Sequence, residues 1–321
     1  MNRRSAVRIL AAASAGSLLR RSLAAAEKPE AVEEDDPDRY ILRSEARLVL
    51  LDVRVKNSQG GYVSGLSKEN FSVFENGHPQ RLVAFDHGDP PVTVGILVDE
   101  SRSMAPKRSA VLLAALAFIG ESNSNDEIFV LNFNDKVMRG LPSPVLFSDN
   151  AEELRKALFR GVSEGRTALN DAVVEGLAQL QMGKREKKTL VLISDGGDNA
   201  SMNTRREMLD RVEGSIATIY TVGLFDAQDA DRDPGILRQL ARISGGEAYF
   251  PPSPAEMVPT CRRIARDIRS SYTLGYVPAA GKGANDMRSI RVSVSAPGHS
   301  RLMTQTRSSY RYDRIETEKQ K

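Results

Sequence analysis

From residue 92 onward the apolar positions gather into four short solid blocks: VTVGILV (92–98), EIFVLNF (127–133), TLVLI (189–193) and ATIYTVGLF (217–225). None shows polar alternation, so each has the texture of a strand covered on both faces. Around them the apolar spacing changes to three and four. KRSAVLLAALAFIGES places Leu112, Leu116 and Ile119 on one helical face, and AEELRKALFRGV, TALNDAVVEGLAQLQM, TRREMLDRVEG and PGILRQLARIS repeat the same period. Asp233 and Pro234 open the last of these as an N-cap and a first-turn proline. Met257, Cys261, Ile264 and Ile268 mark one more helix, and MRGLPSPVLF (138–147), with two prolines, suits only an edge strand or a loop. Strands alternating with helices predict an α/β fold with a doubly wound, mostly parallel sheet.

The pattern on either side is different. RLVLLDVRVKN, YVSGL and NFSVFENGHPQRLVAF are short β-rich runs separated by turn signals, of which Asn76-Gly77 is a strong hairpin turn, and they predict three or four antiparallel strands. After Ser271 the same texture returns in SYTLGYVP, SIRVSVSAP and SRLMTQTRSSYRY. Pairing of these runs with the earlier ones would give an additional antiparallel β-module built from the N- and C-terminal flanks. The expected organisation is therefore module strands at 40–90, the α/β domain at 91–270, further module strands at 271–312 and a tail at 313–321. No internal repeat or low-complexity segment interrupts it.

The first 26 residues have the character of an export signal. Arg3 and Arg4 precede an Ala-rich apolar stretch too short to span a bilayer, and Ala24, Ala25 and Ala26 supply the small residues of a cleavage site. Cleavage is expected after Ala26, followed by an acidic linker at 27–39, with export by the Sec or twin-arginine route to the periplasm or beyond. An uncleaved anchor is disfavoured because Arg20 and Arg21 break the apolar run, so no stable membrane span is expected after cleavage. This segment also accounts for the positive charge. The 321 residues carry 45 bases and 42 acids, and five of the bases are arginines of the signal. The remainder is close to neutral, which gives no electrostatic reason to expect nucleic acid as a partner. Cys261 is the only cysteine, so the core must hold without an internal disulfide, and its place on a helical apolar face makes it a core side chain.

Candidate chemistry enters at the ends of the solid blocks. DESRSM follows the first without a break and offers Asp99, Ser101 and Ser103 at alternate positions. Alternation aims their three oxygens into one space if the segment stays extended or turns gently. Asp195 follows the TLVLI block, and EGRTALNDA brings Thr167 to the start of a helix. In an open parallel sheet these positions share the rim where ligands bind. Their oxygens suit Mg²⁺, whose charge two carboxylates would offset, whereas without a cation the carboxylates would repel and one would tend to hold a proton.

These three motifs, in this order, resemble the von Willebrand factor A domain and its metal-ion-dependent adhesion site: DxSxS on the first strand, a later loop threonine, and an aspartate after a further strand. The resemblance spans residues 92 to about 270. It implies that Asp99, Ser101 and Ser103 ligate the ion directly or through water, that Thr167 joins when a ligand is engaged, and that Asp195 acts through water. It also implies an unidentified partner protein that completes the sphere with an Asp or Glu, and Mg²⁺ as the cofactor, with Mn²⁺ or Ca²⁺ possible alternatives. Glu100, Arg102, Glu164, Arg166 and Asp198 are expected on the rim, mostly as solvated surface. Arg102 stands where many relatives have glycine and would steer an acidic partner or narrow access. The flanking segments resemble those of bacterial exported proteins described only as related to this family. In relatives the last helix of the domain can slide when ligand binds. Here that helix runs into SYTLGYVP, so the expectation is either coupling to the module or a rigid linker.

The reading is thus a non-enzymatic, Mg²⁺-dependent protein-binding module. Two alternatives stand beside it: a metal-dependent, phosphatase-like hydrolase using Asp99 and Asp195, and a scaffold whose ion is purely structural. His78, His87 and His299 all fall in the predicted module, in turns, and no hydrolase, zinc-protease or phosphate-loop motif occurs. DAQDADRDPG (226–235) alternates Asp229, Asp231 and Asp233, but an EF-hand needs Gly and Glu where Pro234 and Leu240 stand, so it is expected to be a solvated acidic loop.

Overall fold

The computed structural model describes residues 48–225, 231–279 and 286–312. The expected signal, linker and tail, and Asp229 of the acidic loop, lie outside the described residues. Four strands come first: β1 (Val49–Asn57), β2 (Phe71–Glu75), β3 (His78–Gln80) and β4 (Leu82–Asp86). The α/β body follows as β5 (Val92–Asp99), α1 (Arg108–Gly120), β6 (Glu127–Phe133), β7 (Val137–Arg139), α2 (Ala151–Phe159) and α3 (Leu169–Gln181). It continues as β8 (Lys187–Ile193), α4 (Arg205–Gly214), β9 (Thr218–Val222), α5 (Pro234–Ser244), β10 (Ala248–Tyr249) and α6 (Met257–Arg269). The chain closes with β11 (Tyr272–Tyr276), β12 (Asp286–Val294), β13 (Leu302–Gln305) and β14 (Ser309–Tyr312).

The body is a six-stranded sheet in the order β10-β9-β8-β5-β6-β7, parallel except for the short edge strand β7. Every residue of β5 and β8 is buried, which is why those blocks carry no polar alternation. Within β5, Gly95 leaves room for its neighbours: a Cβ there would lie 2.3 Å from Phe129 Cζ and 2.6 Å from Leu190. Helix α1 buries a wider face than the spacing of Leu112 and Ile119 implies, including Val111, Ala115 and Phe118, while Leu116 is only half-buried. Cys261 is buried on α6, where loss of water pushes its thiol up to about 12, and it packs as a core side chain. Connections leave β5 toward β6 on one side and β8 on the other, so the order reverses beside β5. That reversal is where an open α/β sheet forms its crevice.

The flanks do pair with each other. β1 runs antiparallel to β11, with Leu51 opposite Leu274, and to β13, with Val55 opposite Thr304. β12 pairs with β2, with Val292 opposite Val73. The result is two four-stranded sheets, β13-β1-β11-β4 and β14-β12-β2-β3, rather than one. They share a core that includes Val53, Val73, Tyr272 and Ile290. Asn76 and Gly77 take positive φ values of 48° and 82° at the β2–β3 hairpin, the geometry their sequence demands. YVSGL, by contrast, forms only an isolated bridge between Tyr62 and Lys56. SRLMTQTRSSYRY splits into two strands that join different sheets. His78 lies in β3 rather than in a turn, and the His87 ring stacks on Tyr272 at 4.1 Å.

A buried polar knot ties the sheets together. Glu75 on β2 accepts from Arg288 on β12 at 2.6 Å, from Tyr276 on β11 at 2.6 Å and from Tyr310 on β14 at 2.8 Å. Other charged contacts fix the module to the body. Arg54 is buried on β1, donates to the carbonyl of Gly245 and lies over the Tyr220 ring at 4.9 Å. The Lys187 ammonium donates to Ile268 O and, at 2.5 Å, to Ser271 Oγ, where α6 passes into β11. Arg269 at the end of α6 reaches both Asp89 and Asp126.

Candidate metal centre

Strand β5 delivers Asp99 at the reversal point, and there the chain turns at once. Asp99 Oδ1 accepts from the Ser101 amide at 2.9 Å, and residues Arg102–Lys107 form a 3₁₀ turn. The serines therefore reach the site by a tight turn closed by Asp99 itself, and not by extended alternation. Ser101 Oγ and Ser103 Oγ lie 3.1 Å apart, and Ser103 Oγ donates to Asp195 Oδ2 at 2.5 Å. Strand β8 supplies the other side. Ser194 Oγ donates to Asp99 Oδ2 at 2.6 Å and accepts from the Gly196 amide at 2.9 Å, while the Gly197 amide donates to Asp195 Oδ1 at 3.1 Å. Gly196 has φ +87°, and a Cβ there would sit 2.2 Å from Asp233 O, so only glycine lets this loop pass the start of α5.

Thr167 arrives on the loop before α3. Its amide donates to Asn199 Oδ1 at 2.9 Å, and its carbonyl accepts from the Asn199 and Ala200 amides. With Ser101, Ser103 and Asp195 it lines a cleft of about 310 Å³, beneath which Asp99 is only 2% exposed. Four of the five expected residues are thus joined by hydrogen bonds, and the fifth lines the same cleft.

Residues 94–197 match the family profile of the von Willebrand factor type A domain. The structure of a von Willebrand factor type A protein from Catenulispora acidiphila superimposes with a TM-score of 0.50 at 15% identity, covering 75% of this chain and 72% of that one. The body has the von Willebrand factor type A fold. Proximal thread matrix protein 1 of the mussel byssus, whose structure has a zinc-occupied MIDAS motif, gives a TM-score of 0.48 at 14% identity, over 57% of this chain and 49% of that one. An uncharacterised Synechocystis protein is 24% identical over 177 residues, 54% of this chain and 41% of its own length. The chain therefore spans under half of that curated relative.

The electrostatics of the A-type cleft suit a hard divalent cation. Burial pushes the Asp99 carboxyl up to about 7, with the neighbouring Asp195 charge adding to the rise and hydrogen bonds from Ser101 and Ser194 opposing it. Asp99 and Asp195 would offset a cation's charge, and the serine and threonine hydroxyls are oxygen donors of the kind Mg²⁺ prefers. Among the described residues no group of three or more His, Cys, Asp or Glu side chains is placed to hold a metal ion by itself. A cation here would have two carboxylates and a set of hydroxyls, leaving room in its sphere for water or a partner's oxygen.

The rim departs from expectation at Glu100. Its side chain is fully buried on the far side of the strand end, where Oε2 accepts from Arg108 Nε at 2.9 Å and from Ser163 Oγ. A residue directly after Asp99 faces away from the cleft, so Glu100 is an internal counter-ion and not solvated surface. Arg102, Glu164, Arg166 and Asp198 are exposed. Arg166 is held by Asp135 at 3.1 Å, and Asp198 accepts from Asn170 and Ser201. Three members of the site were not expected from the sequence: Ser194, Asn199, and Asp231, which lines the cleft and accepts from Asn199 Nδ2 at 3.0 Å. Ser194 had a signal, a polar side chain placed directly after a solid apolar strand. Because it orients Asp99, Ser194→Ala is expected to lower magnesium affinity roughly 10–100-fold with little change in fold, as measured by calorimetric titration. An unchanged affinity would show that Asp99 needs no such support.

Proposed function

We propose that the A-type domain captures an acidic side chain of a partner protein through a divalent cation, Mg²⁺ in preference to Mn²⁺ or Ca²⁺, held by Asp99, Ser101, Ser103, Thr167 and Asp195. The observation that carries this is the convergence of oxygens from three distant segments on one open cleft. When bound, the ion supplies affinity by exchanging a water for a carboxylate oxygen. The chain's own residues do the rest. Asp99 and Asp195 offset charge, Ser194 and the Ser101 amide fix Asp99, and Asn199 holds the Thr167 loop beside the cleft. Arg102 and Arg166 line the same cleft and give an approaching acid a favourable field. None of the three histidines lines it, which removes the commonest general base from a hydrolytic reading.

Thr167→Ala separates partner capture from a purely structural ion. Capture predicts that a partner retained from envelope extract in magnesium binds about tenfold more weakly to the variant, while thermal melting stays the same. A structural ion predicts the reverse pattern, and retention of that partner in chelator would sink both. The same reading places the chain outside the cytoplasm on the strength of residues 1–26. N-terminal sequencing of the exported protein should then begin at Glu27; a full-length cytosolic product would contradict it.

A further inference from the structure

The widest cavity described, about 500 Å³, lies at the opposite end of the body from the metal cleft. One wall is the β13-β1-β11-β4 sheet, through Leu50, Ala84 and Phe85. The other is the amino end of the parallel sheet, through Pro91, Lys187 and Ile216. We propose that this crevice binds a single long-chain carboxylate, with its aliphatic tail against the sheet and its head at Arg185.

The crevice leaves both apolar surface and a polar donor without partners. Leu48 and Ile216 are 41% and 49% exposed there, so apolar surface faces water on both walls. Ala84 is small and lies beside Gly275, where an added Cβ would meet it at 2.8 Å, so this part of the sheet is kept shallow. The deep amine, Lys187, is already engaged by Ile268 O and Ser271 Oγ and lies 4.0 Å from Asp52. Arg185 differs. Its Nε is buried and has no hydrogen-bond partner among the described residues: the nearby Glu127 carboxylate feels the Arg185 charge but accepts from Thr93 and from backbone amides. A guanidinium presents a planar fork that matches a carboxylate, and an unpaired buried donor gains most from such a partner.

Charge and shape together narrow the occupant, for the lining sets Lys184, Arg185, Lys187 and Lys188 against Asp52, Asp86 and Glu186 and keeps one base in excess. An inorganic anion would leave the apolar walls wet, and a neutral hydrocarbon would leave the Arg185 Nε without a hydrogen-bond acceptor. The volume falls in the range that takes one small ligand, and an interface between two packed units is a common place for one. A diacyl lipid brings two tails to a space of this size, so a free fatty acid is the source to which the geometry points. The site shares no residue with the metal cleft.

The test is calorimetric titration of the full chain with dodecanoate below its micelle concentration, with dodecanol and dodecyltrimethylammonium as matched tails bearing other heads. The expected result is saturable uptake of one dodecanoate per chain, weakened about tenfold by Arg185→Gln, abolished by Ala84→Trp, and unchanged by Asp99→Ala or by magnesium. Equal uptake of dodecanol, unsaturable uptake, or indifference to Arg185→Gln overturns the proposal. Should Ala84→Trp fail to fold, the Arg185→Gln comparison decides alone.

Discussion

In magnesium-free buffer at pH 8, Asp99→Asn is expected to melt above the unaltered chain, and added magnesium is expected to leave the variant where it was. Asp99 is buried beside Asp195, and its pKa rises to about 7, against roughly 3.9 for an unfolded aspartate. A folded-state value above the unfolded one means the group favours the fold below about pH 4. That advantage is lost as pH rises through 7. The gap between the two values corresponds to an upper bound of about 4 kcal/mol at pH 8. Asparagine keeps an oxygen for the Ser101 amide and carries no charge, so the metal-free variant should show a nearly flat melting profile between pH 5 and pH 8 where the unaltered chain declines. Magnesium raises only the unaltered chain, by about 2.7 kcal/mol at a hundredfold excess over the dissociation constant, and so narrows the gap. Identical profiles in chelator, or equal magnesium shifts in both proteins, would refute the arrangement.

A loss of about 3–5 kcal/mol of stability is expected for Glu75→Ala in the flanking sandwich, measured by urea denaturation. Glu75 is 4% exposed and Arg288 3%, so removing the acid leaves a guanidinium in the interior together with two tyrosine hydroxyls that lose their acceptor. Glu75→Gln keeps acceptors for the tyrosines and should cost less. A change under about 1 kcal/mol for the alanine variant would mean that water or a rearranged Arg288 replaces the carboxylate.

What the sequence makes legible follows from periodicity. The solid blocks match β5, β6, β8 and β9 because burial on both faces leaves no room for polar residues, and Asn76-Gly77 forms its turn because few other pairs accept two positive φ values. The ligand-type residues after β5 and β8 are legible for the same reason: they interrupt an apolar run at its carboxyl end. Polar residues whose partners lie far along the chain are not legible. The alternation of Asp52, Arg54 and Lys56 suggests a wet face, yet Arg54 is 2% exposed because that face packs on the body and the carbonyl of Gly245, 191 residues away, accepts its hydrogen bond. Glu100 is hidden in part in the same manner, by Ser163, 63 residues away, and in part by the nearer Arg108. The division of the last β run into two strands also depends on a distant contact: Arg307, between them, is buried and donates to Ser215 O at 2.5 Å.

The interleaving of both flanks sets the order in which this molecule can mature. As the polypeptide is made, β1 and β2 emerge early, but their neighbours β11 and β12 lie some two hundred positions later. Until those arrive, two strands rich in Val, Leu and Phe have bare edges, the state in which nascent sheets adhere to one another. The central body has mostly sequential partners and can settle first, so the hazardous interval for this chain falls between the completion of its guest and the closing of its host.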